Sequence, residues 1–140
     1  MHRYTVELRV SGKKLDISEV SAALRLQPTN TRIEGEKLSK TKVVQESIWG
    51  YDLYPTPAKE DWESLEAALN AVLSKFRARK AELRKLSRRY GVYLWCGHFT
   101  SSFNGGPELS PKLLRGLANL GVRVIIDTHS SKESGAVSES

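Results

Sequence analysis

Apolar and polar positions along this chain switch between two periods, and the switches mark the elements. In residues 3–10, Tyr4, Val6, Leu8 and Val10 alternate with Thr5, Glu7 and Arg9. Period two predicts a strand with one buried face. After a short loop, Asp16 stands where a helix N-cap belongs, with Glu19 three residues on to close a capping box. Leu15 and Val20 flank that cap as a hydrophobic staple. Val20, Ala23 and Leu24 then share a helical face, and Pro28 stops the helix. Residues 29–45 are polar, contain Gly35 and scattered lysines, and read as a loop with a short irregular strand at 42–44. Residues 46–54 read as a strand with Trp49, Tyr51 and Leu53 on one face, closed by Pro55.

Thr56-Pro57 reads as the cap and first residue of the longest helix. Glu60, Asp61, Glu63 and Glu66 lie early, where the helix dipole favours negative charge. Trp62, Leu65, Leu69, Val72, Phe76, Leu83, Leu86 and Tyr90 form its apolar stripe, interrupted once near Arg79. The pattern predicts about 30 helical residues, roughly 45 Å if straight, with the interruption as the place to bend or break and Gly91 as the stop.

The region after Gly91 is the clearest. In residues 92–100, Tyr93 and Trp95 share one face and Val92, Leu94 and Cys96 the other, which predicts an interior strand buried on both sides. Asn104-Gly105-Gly106-Pro107 is turn chemistry. Ser110 is a cap, Pro111 the first helical residue, Leu109 and Leu114 a second staple, and Gly121 a left-handed stop. Leu114, Leu117 and Ala118 line one face, and residues 122–126 form the last strand. Residues 130–140 lack periodicity and read as a disordered tail, leaving 1–129 as a single domain.

The two capped helices echo one another. Leu15, Asp16, Ile17 and Val20 match Leu109, Ser110, Pro111 and Leu114, and each set lies between two strands. Two such units predict an α+β fold: a ferredoxin-like two-layer sandwich of two split β-α-β units, with the long helix inserted between them. A doubly wound sheet is disfavoured, because the first strand has a polar face.

The ordered set LWCGHF, NGG, LSPKLL and LANLGVRVIID, with LQPT, Gly35-Glu36 and ESIWGYDLYP upstream, resembles a bacterial family known as domain of unknown function 4279. The resemblance runs nearly the whole chain up to His129. It implies a cytoplasmic bacterial α+β domain without an assigned activity, and it supplies no catalytic residues. The basic half of the long helix lies outside its pattern.

Composition narrows the classes. Hydrophobic and charged fractions of 39% and 27% are those of an ordinary globular domain. No apolar run is long enough to span a bilayer, and Met1-His2-Arg3 leads straight into a strand pattern without a signal sequence. With the single cysteine, Cys96, this points to a reducing, cytoplasmic setting. The net charge of +6 is concentrated: residues 75–89 hold eight basic residues and one acid, Glu82.

Four groups of residues carry candidate chemistry. Cys96 and His98 fall on one face of a strand, as a thiolate–imidazole nucleophile would need, although the same spacing fits a buried structural cysteine. The histidines and Cys96 lack metal-ligand spacing, so no metal or cofactor is expected. Asn104, Gly105 and Gly106 before a helix could cradle an anion, and also fit a turn that needs glycine. Trp49, Tyr51 and Trp95 either fill the core or line a groove. Arg77, Lys80, Arg84 and Arg88 cluster on the helix face opposite its apolar stripe, as a solvated face or a platform for nucleic acid or an acidic partner. The favoured reading is a non-enzymatic module binding a protein or small-molecule partner through the sheet or the NGG loop. Nucleic-acid binding through residues 75–89 and a Cys/His enzyme are the alternatives.

Overall fold

The computed structural model describes residues 1–102 and 104–130. Among them, five strands form one sheet. The strands are β1 (His2–Gly12), β2 (Asn30–Arg32), β3 (Ser47–Leu53), β4 (Gly91–Thr100) and β5 (Arg123–Ser130). The helices are α1 (Ile17–Leu24), α2 (Leu65–Phe76), α3 (Lys80–Ser87) and α4 (Pro111–Leu120), with a 3-10 turn at Arg77–Arg79 joining α2 to α3. The order across the sheet is β2-β3-β1-β4-β5. Only β4 and β5 are parallel; the other neighbours are antiparallel.

This is a mixed α+β fold, but the two split units expected from the sequence, as parts of a ferredoxin-like arrangement, are not the ones that form. There, the two strands of each unit are parallel and separated by another strand. Residues 46–54, expected to be the parallel partner of β1 in the first unit, instead supply β3, adjacent and antiparallel to β1, and in the second unit β4 and β5 are adjacent and parallel with no strand between them. Helix α1 and the residues after it lead into β2, which, like β1, runs antiparallel to β3; β1 and β2 are therefore parallel, with β3 between them. Strand β3 begins opposite the finish of β1, with Ser47 beside Gly12, and runs back along it. After β4, helix α4 precedes β5, which starts beside Tyr93 and runs parallel to β4.

The helices all pack on one face. Tyr4, Val6, Leu8 and Val10 on β1 align with Trp49, Tyr51 and Leu53 on one side and with Val92, Leu94 and Cys96 on the other. Val20 and Leu24 of α1, Leu69, Val72 and Phe76 of α2, Leu83 and Leu86 of α3, and Leu113, Leu117 and Leu120 of α4 close over them. Trp49 is fully buried, and its indole N–H donates to Ser21 Oγ at 3.0 Å.

Several local expectations change. Asp16 caps α1 by accepting from the N–H groups of Ser18 and Glu19, but Glu19 does not close a capping box. Its carboxylate instead takes Arg89 and the Tyr90 hydroxyl. The first staple pair, Leu15 and Val20, is buried, whereas Leu114 of the second is 49% exposed. Adjacent leucines explain the error: Leu113, Leu117 and Leu120 face the core, so the stripe is one residue out of step. Ser110 caps α4 at Leu113 N–H, and Gly121 ends it at φ +82°.

The expected long helix starts late and breaks. Thr56 caps only a turn, through Ala58 N–H. Trp62 exchanges two 2.8 Å backbone hydrogen bonds with Tyr4, so it extends the sheet instead of opening a helix. The true cap is Ser64. The 3-10 turn falls at the interruption in the stripe, and helix α3 stops at Ser87, four residues before Gly91. In the polar segment, residues 30–32 form edge strand β2 and Lys37 bridges Val43. Ser130 belongs to β5; the rest of the expected tail lies outside the described residues.

Candidate functional site

The face of the sheet away from the helices has no covering layer among the described residues. The residues on it alternate with the core positions: Thr5, Glu7 and Arg9 of β1, Ile48, Gly50 and Asp52 of β3, Tyr93, Trp95, Gly97 and Phe99 of β4, and the odd-numbered residues of β5. Strand β4 is interior as expected, but only one of its faces is covered, and Tyr93 and Trp95 are partly exposed.

Each aromatic ring on this face is covered by a group from a neighbouring strand. The Arg9 guanidinium lies 4.6 Å from the centre of the Trp95 ring. Arg123 lies 5.6 Å from that of Tyr93, and the His129 ring stacks on Phe99 at 5.2 Å. Guanidinium on indole is a favourable electrostatic pairing with the ring face. Arg9 is also held by Glu7, 2.5 Å from Nε to Oε1, and Asn30 Nδ2 reaches the other carboxylate oxygen at 3.4 Å. Glu7 is 5% exposed even though it is on the uncovered face. It lies over Gly50, where any Cβ would collide with its carboxylate. At Gly97 a Cβ would fall 2.6 Å from Thr5 Oγ1 and 2.9 Å from the Phe99 ring. Two glycines thus let Glu7 and Phe99 lie flat against the backbone.

The residues singled out from the sequence do not converge on one place. Trp49 and Tyr51 are on the helix side, where Tyr51 meets the Phe76 ring edge-on at 6.2 Å. Trp95 is on the opposite face. The NGG turn lies beyond the end of β4, with Gly105 at φ +81°. The α4 N-terminus is occupied internally: Ser110 N–H donates to Glu66 Oε1 at 2.6 Å, and Ser110 Oγ accepts from Leu113.

Cys96 is fully buried, and burial pushes its thiol up to about 12. His98 is on the same face, but its ring is engaged elsewhere. The Asn104 carbonyl can only accept, so His2 Nε2 carries the proton it donates there, at 2.9 Å. His2 Nδ1 and His98 Nε2 are hydrogen-bonded at 2.9 Å, and His98 Nδ1 meets the Thr128 hydroxyl at 3.2 Å. Burial, and secondly His2, lower the His98 pKa below the ordinary histidine value. The chain ties the NGG turn to the first and fourth strands. Among the described residues, no group of three His, Cys, Asp or Glu side chains is placed to hold a metal ion, and no helix is long and apolar enough to cross a membrane.

The basic segment is partly consumed by the fold. Arg79 donates to the Leu24 carbonyl, Lys80 to Asn119, and Arg89 to Glu19, while Lys75 lies over the Tyr51 ring. Arg77, Arg84 and Arg88 are exposed, and the 3-10 turn separates the first from the other two.

Sequence reasoning missed Arg9, Glu7, Arg123 and Phe99. Their signal was present in the polar alternation of β1, but its meaning depended on register, which sets Glu7 opposite Trp95 and brings Arg9 within reach of that ring. No curated protein and no solved structure matches this chain. A family does match, over residues 2–131, and the chain belongs to it: the family described as Domain of unknown function (DUF4279).

Proposed function

We propose that this domain is a non-enzymatic binding module that takes a protein partner on the open face of its sheet. The observation that carries the reading is the row Tyr93, Trp95 and Phe99, each covered by Arg123, Arg9 or His129. Aromatic residues and arginine are the types enriched where protein interfaces concentrate their binding energy. The aromatic row lies on an uncovered sheet face, whereas sites for small molecules are mostly enclosed concavities. It also mixes signs, with Arg3, Arg9, Arg32 and Arg123 among Glu7, Asp52 and Asp127. Mixed charge suits a protein; a nucleic-acid surface is predominantly positive. The buried single thiol fits a reducing, cytoplasmic setting, and its raised pKa argues against a nucleophile, since the thiolate is the reactive form.

Site-specific photo-crosslinking tests the reading. A photo-reactive side chain at Ile48, on the open face, is compared with one at Arg84, on the basic helix, in extract of the source cells. A protein adduct from position 48, lost when Trp95→Ala is added, is the expected result. Adducts only from position 84, or adducts to nucleic acid, would replace this reading with the basic-helix alternative.

A further inference from the structure

The two edges of the sheet differ. At one, β2 is only three residues long. At the other, the eight residues of β5 pair with β4 on one side alone, and among the described residues no further backbone group bonds to them. An edge strand presents its outward N–H and C=O groups for pairing with another chain, and proteins normally blunt such edges with charged side chains, lysine above all, with proline or with a bulge. The segment RVIIDTHS contains neither lysine nor proline, and its two charged residues, Arg123 and Asp127, are of opposite sign. Ile126 within it is 40% exposed.

The sequence of β5 is complementary to itself. In a two-fold antiparallel pair, residues directly opposite share a face, so the pair must be centred on a residue and not between two. Centring on Ile125 sets Arg123 opposite Asp127 twice, Ile125 opposite Ile125, and Val124 opposite Ile126. Arg123, Ile125 and Asp127 are on the open face; Val124 and Ile126 are on the helix face. Charge meets opposite charge, and apolar meets apolar. Centring on Ile126 instead sets Ile125 against Asp127, and centring on Val124 sets Arg123 against Ile125. Opposite charges and apolar groups directly across strands stabilise pairing, and like charges oppose it. In the single chain, Arg123 lies over Tyr93 and Asp127 bonds His129 at 2.9 Å, both contacts being exposed enough to rearrange.

We propose that β5 pairs antiparallel with β5 of a second copy, centred on Ile125, so that two five-stranded sheets join into one. Closed two-fold pairing is the commonest form of self-assembly. The helices of both copies then lie on the same side, and the two open faces become one continuous surface. The dimer does not depend on what that surface binds, and either reading can fail alone.

The test uses the full chain. Sedimentation velocity should show a concentration-dependent dimer. Arg123→Asp, which sets acid against acid, should weaken it roughly tenfold or more, and Arg123→Asp with Asp127→Arg should restore it. Thermal unfolding of each variant confirms that the fold is kept. Ile125→Cys tests the register, because opposite Cα atoms in a β pair are close enough for a disulfide. Mild oxidation should cross-link it, and should cross-link an Ile126→Cys control far more slowly. A wild-type chain that stays monomeric, a double variant that fails to recover, or equal cross-linking at both positions would overturn the proposal.

Discussion

The two faces of one sheet follow different rules in this molecule. On the helix side, Leu8, Trp49 and Leu94 are fully buried among side chains from four helices. On the open side, one or two residues away, Arg9 and Trp95 make a cation–aromatic stack with no layer above it. The first face is built by excluding water and is tolerant of which apolar group does so. The second is built by specific pairings between strands, with two glycines cleared so that Glu7 and Phe99 can lie flat. The open face is thus organised by contacts between its own strands, without a covering layer among the described residues.

The largest effect separating the faces should come from the core side. Leu8→Ala and Leu94→Ala each remove a fully buried side chain and should lower the unfolding free energy by about 2–5 kcal/mol, read from urea midpoints. Removing Trp95 should cost far less, because one side of it meets water. Equal losses would mean that the faces do not differ as described.

Gly50→Ala comes next. The new methyl group must displace Glu7, which is held by Arg9 and Asn30. We expect a loss of about 1–3 kcal/mol, as for overpacking of a well-filled site. An unchanged midpoint would show that the Glu7 arrangement is soft.

The smallest effect is electrostatic. The His98 pKa is lowered in the folded state, chiefly by burial. The unfolded chain therefore binds its proton first as pH falls. The contribution of the neutral ring is fully present above the ordinary histidine value of about 6.5, and it is lost as pH drops through the lower folded value. Thermal midpoints of wild type should decline across that window, and those of His98→Gln should decline less. Parallel curves would remove His98 from the account.

Much of this was legible beforehand, for reasons of range. The caps at Asp16 and Ser110, the stop at Gly121 and the break near Arg79 depend on a few neighbouring residues, and each is where the pattern placed it. The strand pairing was not, because it depends on partners far apart: Asn30–Arg32 lay in a segment that reads as a loop but forms the strand parallel to β1 across β3, and Ser47–Leu53 pair directly with β1. Trp62 fitted a helical stripe but was captured by Tyr4, a partner 58 positions away. The open face was hidden for a related reason. Tyr93 and Trp95 read as buried because apolar rings usually are, and only register shows that arginines cover them.

If the open face presents its aromatic row to a protein, Trp95→Ala should separate binding from stability. On one preparation, unfolding free energy and affinity for the protein captured at position 48 are measured together. Stability should fall by about 1 kcal/mol or less, since an exposed cation–aromatic contact contributes about that much. Affinity should fall by roughly thirtyfold or more, as for a residue at the centre of an interface. An affinity unchanged by the substitution, with the fold intact, would contradict it.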